Sequence, residues 1–89
     1  MRFDITLQGR GGHGSRPDLS HNPVDCFAAV FGALQQIGGS ISFVDGGTAG
    51  NIIPDTLRFK GSCPDMDAMK RILEHTCALY HCSAIFNDQ

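Results

Sequence analysis

Tryptophan is missing from this chain, tyrosine occurs once, and no apolar stretch approaches the roughly 20 residues that a membrane-spanning helix needs. No positively charged, apolar, small-residue succession marks a signal peptide, so the chain is expected to be soluble and cytoplasmic, with no membrane partner. Basic clustering is also lacking. The seven lysines and arginines are outnumbered by nine acidic residues and lie scattered at Arg2, Arg10, Arg16, Arg58, Lys60, Lys70 and Arg71. That leaves no electrostatic footprint for nucleic acid. The four cysteines, Cys26, Cys63, Cys77 and Cys82, contain no Cys-x-x-Cys pair. They read as buried reduced thiols of an intracellular protein. A zinc site from His75, Cys77, His81 and Cys82 is disfavoured, because a helix puts positions 75 and 77 on different faces. With 89 residues there is length for one small domain, burying about 60 to 65% of its unfolded surface.

What the chain does contain is glycine in two dense loops. The first, Gly9-Arg10-Gly11-Gly12-His13-Gly14-Ser15-Arg16-Pro17, follows a segment in which Met1, Phe3, Ile5 and Leu7 alternate with Arg2, Asp4, Thr6 and Gln8. Period-two alternation is the mark of a half-buried strand, so the loop is mounted on a rigid element. Its only titratable ring is His13, carried on backbone that tolerates close approach to another molecule. Gly9, Gly11 and Gly14 formally match Gly-x-Gly-x-x-Gly, but a dinucleotide site requires a helix to open at the loop. Here Ser15-Arg16-Pro17 intervenes, and Arg16 before proline is pushed away from helical dihedrals. A phosphate-binding P-loop is excluded as well, since Lys-Ser or Lys-Thr does not follow Gly14.

Downstream, Asn22 and Pro23 form a helix start, with Val24, Phe27, Ala28, Phe31 and Leu34 recurring at three- and four-residue steps up to Gly38-Gly39. Ile41 and Phe43 alternate with Ser40 and Ser42 in a short strand. The second glycine loop spans Asp45 to Asn51, and a strand with Leu57 and Phe59 on one side follows Pro54. Asp65 caps a second helix that carries Met69, Ile72, Leu73, Thr76 and Cys77 inward, and His81 to Phe86 reads as a last strand. Strand, helix, strand, strand, helix, strand is the split βαβ order. The expected fold class is α+β: a ferredoxin-like βαββαβ domain, a four-stranded antiparallel sheet with two helices on one face. Its edges are exposed, which favours pairing with a second copy or another domain.

Taken together, the Gly-Arg-Gly-Gly-His-Gly-Ser-x-Pro turn, the Asn22-Pro23 helix start, the segment Gly46-Gly47-Thr48-Ala49-Gly50-Asn51-Ile52-Ile53-Pro54-Asp55 and the following Gly61-Ser62 resemble a known family. They are similar to the dimerisation, or lid, domain of zinc-dependent aminoacylase and carboxypeptidase type metallohydrolases. The nearest likeness is to the amidohydrolase branch, with hippurate hydrolase and N-acyl-amino-acid or auxin-conjugate hydrolases. The resemblance covers nearly the whole chain. It implies that residues 1–89 are one dimerisation domain excised from a larger two-domain hydrolase, whose separate catalytic domain binds two divalent metal ions, zinc or similar. This chain holds none of the metal ligands and is not expected to hydrolyse anything alone. The implied partners are a second copy, the catalytic domain and an N-acyl amino acid or peptide substrate.

By the same resemblance, His13 matches a histidine that reaches from one subunit into the active site of the other and stabilises developing charge on an amide carbonyl. Asn51 matches a substrate-contacting amide, against the alternative of a turn-former beside Gly50. Ser15 and Arg16 are weaker candidates, and Pro54 sets the exit of its loop. One position departs from the pattern. Where the family usually has a carboxylate-binding arginine after Gly-Ser-x, this chain has Pro64, leaving Arg58 and Arg10 as possible substitutes. His21, His75 and His81 match no functional position. A competing reading is a stand-alone ferredoxin-like ligand-binding or regulatory module, and a third is an interaction domain whose parent has lost catalysis.

Overall fold

The alternating first segment becomes strand β1, Arg2–Gln8, with Phe3, Ile5 and Leu7 buried. A computed structural model describes residues 1–9, 12, 13, 22–46, 52, 53 and 56–87. After β1 come a short strand β2 (Gly12–His13), helix α1 (Pro23–Gln36) and strand β3 (Ser40–Asp45). They are followed by a short strand β4 (Ile52–Ile53), strand β5 (Thr56–Ser62), helix α2 (Met66–Tyr80) and strand β6 (Ser83–Phe86). The four long strands form one sheet in the order β3-β5-β1-β6, with every neighbouring pair antiparallel. That is the ferredoxin-like arrangement read from the sequence.

Both helices are set by their caps. The Asn22 side chain accepts a hydrogen bond from the Val24 N–H at 2.9 Å, and Pro23 occupies the first turn, where a missing N–H costs nothing. At the other end of α1 the Gly39 N–H donates to the Leu34 carbonyl and the Gly38 N–H to that of Gln35. Gly38 has φ +81°, which glycine adopts without steric cost, so the helix stops in a Schellman turn. Asp65 caps α2 by accepting from the Asp67 and Ala68 N–H groups. The last strand starts at Ser83, two residues later than expected, because His81 takes a left-handed conformation (φ 56°) and ends α2.

The helix-covered side of the sheet is apolar. Phe3, Ile5, Leu7, Leu57 and Phe59 pack against Cys26, Val30 and Leu34 of α1 and Met69, Leu73 and Cys77 of α2. Phe59 is fully buried and tilts against the Phe27 ring at 5.0 Å between centroids. Two expectations about side-chain direction need correction. On α1 the buried stripe is Pro23, Cys26, Val30 and Leu34, so of the expected residues Leu34 and Phe27 meet the core while Val24, Ala28 and Phe31 face outward. On β3 a register shift between Ile41 and Phe43 turns Phe43 to the helix-free face, where the Lys60 ammonium lies 5.1 Å from its ring centroid. Ile41 stays half-buried against the core.

Candidate functional site

Strands β2 and β4 bring the two glycine-rich loops together. Gly12 pairs with Ile53 and His13 with Ile52 in an antiparallel ladder. They lie on the two stretches of chain that β1 and β5 already join, whose ladder closes at Gln8↔Thr56. The result is a short two-stranded arm, a ladder separate from the four-stranded sheet, in which His13 pairs with Ile52, the residue that follows Asn51 in the chain. Asn51 itself lies outside the described residues, as do Arg10, Ser15, Arg16, His21 and Pro54. The short ladder was not legible beforehand, because two-residue strands inside glycine loops leave no period to detect.

The helix-free face of the sheet holds a polar network that sequence reasoning missed. Asp4 is 4% exposed. Its carboxylate receives the Arg58 fork, Nε to Oδ1 at 2.9 Å and Nη2 to Oδ2 at 2.6 Å. The Asn87 amide donates to Asp4 Oδ1 at 3.1 Å and to Thr6 Oγ1 at 2.8 Å, while the Asn87 backbone N–H binds the Asp4 carbonyl. The Arg58 hydrogen bonds hold the Asp4 carboxyl at about 2, below its ordinary 3.8, against the opposing effect of burial. Arg58 is in turn held protonated by the same carboxylate. Its fork is therefore committed to a structural partner, which corrects its candidacy as a substitute carboxylate binder. The available signal was the polar period of both strands; the antiparallel register that sets Arg58 diagonal to Asp4 is a long-range property.

Around this pair, Arg2, Ser40, Ser42, Lys60 and Ser62 line an open cleft of about 660 Å³. Ser40 and Ser62 share a hydrogen bond at 3.2 Å, and Ser42 Oγ donates to the Lys60 carbonyl. No group of three or more His, Cys, Asp or Glu side chains among the described residues could hold a metal ion. Pro64 sits in the bend before the Asp65 cap, where the ring suits a helix approach and offers no charge. Among the described residues no helix is long and apolar enough to cross a membrane.

Comparison with known proteins adds the family. Residues 1–76 match the model of the peptidase dimerisation domain. The chain is 28% identical over 105 residues to N-acetylcysteine deacetylase of Bacillus subtilis, covering 96% of this chain and 28% of that protein. It is 29% identical over 98 residues to thermostable carboxypeptidase 2 of Saccharolobus solfataricus, covering 88% of this chain and 25% of the relative. Among solved structures, the aminobenzoyl-glutamate utilization protein from Klebsiella pneumoniae superposes with a TM-score of 0.84 at 14% identity, over 97% of this chain and 26% of that one. The chain thus spans about a quarter of the length of these proteins.

Proposed function

Because the chain belongs to the peptidase dimerisation domain family, we propose that it joins two copies of a larger metal-dependent amidohydrolase or exopeptidase and lends His13 to the partner's active site. The observation that supports this reading is the β2–β4 arm, which pairs the chain at His13 with the chain at Ile52, next in sequence to Asn51. The substrate class is an N-acyl amino acid or related amide, in keeping with the deacetylase and carboxypeptidase relatives. Hydrolysis belongs to a separate catalytic domain that also supplies the two divalent ions, zinc or similar.

Within that reaction each chain residue has a limited role. An imidazole N–H aimed at the amide carbonyl oxygen stabilises the negative charge that builds there, an effect of roughly 10²- to 10³-fold in rate for one prepositioned donor. The Asn51 amide donates and accepts hydrogen bonds to the bound substrate. Four free thiols favour a cytoplasmic setting.

The second copy docks at the β3 side. β3 is an edge strand with unpaired backbone groups, and Phe43 and Val44 on it are 43% and 47% exposed. The outward stripe of the neighbouring helix α1, Val24, Ala28 and Phe31, provides a second apolar strip along the same edge. Analytical ultracentrifugation of the whole protein tests this. Phe31→Lys and Val44→Lys together should convert dimer to monomer with loss of hydrolysis. A double variant that stays dimeric places the interface elsewhere, and an active monomer refutes the trans role of His13.

A further inference from the structure

Three of the four thiols gather where α1, α2 and β6 meet. Cys26 of α1 and Cys77 of α2 face each other in the core with their sulfurs 4.0 Å apart, 51 residues apart in sequence. Cys26 is fully buried. Cys77 reaches the edge of the core and, with Cys82, Leu73 and Phe86, lines a cleft of about 390 Å³ between α2 and β6. Cys63 lies apart, its thiol donating to the Asp65 carbonyl. No group of three or more possible metal ligands forms among the described residues. A disulfide needs the two sulfurs at about 2.05 Å, so they must approach by roughly 2 Å, a distance that side-chain torsion supplies when the helices are already in contact.

We propose that Cys26 and Cys77 are a latent dithiol that excess hydrogen peroxide closes to a disulfide, tying α1 to α2. Cys77 sulfur, reached through the cleft, attacks one oxygen of hydrogen peroxide. The O–O bond breaks, one oxygen stays on sulfur as a sulfenic acid, and the other leaves as water with the Cys77 proton. Cys26 sulfur then attacks Cys77 sulfur; the S–O bond breaks and a second water leaves, taking the Cys26 proton. Two thiols are oxidised and one peroxide is reduced to two waters. Burial pushes both thiols up in pKa and keeps them neutral and slow to react, so closure needs an excess of a small neutral oxidant able to enter the cleft where Cys77 is reached. The new bond closes a long loop of the unfolded chain, so the oxidised domain is the more stable one.

The test treats the full chain with hydrogen peroxide, quenches with catalase, unfolds and blocks the remaining thiols, and maps peptides without reduction. A Cys26–Cys77 linked peptide is expected, reversible by dithiothreitol, with a melting temperature raised by at least about 5 °C. The same link should form in a Cys63→Ala/Cys82→Ala chain. Cys26→Ala should leave a sulfenic acid on Cys77 that dimedone traps. The proposal is overturned if Cys26 and Cys77 remain reduced while Cys82, the more exposed thiol, oxidises, or if the link found joins Cys77 to Cys82.

Discussion

The β1–β5 ladder runs unbroken from Arg2↔Ser62 to Gln8↔Thr56, whereas the next stretch of the same two chain segments is held in the β2–β4 arm by two paired positions. The ladder is flanked by buried Phe3, Ile5, Leu7, Leu57 and Phe59; the loop leading into the arm is rich in glycine. The difference separates two tasks. Burial of large apolar side chains gives the body its stability, since each contributes a few kcal/mol that glycine cannot supply. A glycine-rich arm adds little stability and tolerates close approach of another molecule, which is what the role proposed for His13 requires. Substitutions in the body should change stability, and substitutions on the arm should change function alone.

The largest expected effect is in the body. Phe59→Ala empties a fully buried site between β5 and α1 and should lower unfolding free energy by about 3 to 5 kcal/mol, measured by urea denaturation. On the arm, His13→Ala should leave the urea midpoint unchanged and lower kcat of the whole enzyme roughly 10²- to 10³-fold. If His13→Ala instead destabilises the domain as Phe59→Ala does, the separation of tasks fails.

The open face of the sheet predicts a pH dependence. Asp4 has a native value of about 2 against an ordinary 3.8, so its pairing stabilises the fold above 3.8 and that contribution disappears as pH falls toward about 2. Asp4→Asn should lower the melting temperature at pH 7 and flatten its fall across that acid window; an unchanged acid limb would show that the Arg58 pair does not contribute. A smaller effect belongs to the caps. Asn22→Ala removes the acceptor for the Val24 N–H and should cost about 1 kcal/mol.

The same contrast explains what the sequence made legible. Element order, both N-caps and the inward face of β1 follow from local rules, because alternation and capping act over a few residues. The stripe of α1 followed only in part: Phe27 and Leu34 meet the core, but Val24-Ala28-Phe31 and Cys26-Val30-Leu34 are both apolar at helical spacing and only the packed sheet selects the second. Phe43 escaped for a related reason. A bulge in β3 changes its side without changing the residue pattern, and the place for a bulge is set by pairing with β5. Asp4 and Arg58 were legible as polar positions and illegible as a pair, since antiparallel register joins residues 54 apart. At the candidate site, the motif identified His13 and Asn51 as residues of interest. The ladder opposite Ile52 supplies the reason that the two loops belong to one structure.

His13 is proposed to act across the dimer. The direct measurement mixes whole-protein subunits carrying His13→Ala with subunits whose catalytic centre is disabled, each inactive alone, and assays amide hydrolysis by the co-assembled dimers. Trans donation predicts that the mixture regains activity, because one active site in each mixed dimer then has both an intact catalytic centre and a partner's His13. Mixed dimers that form and stay inactive would contradict it.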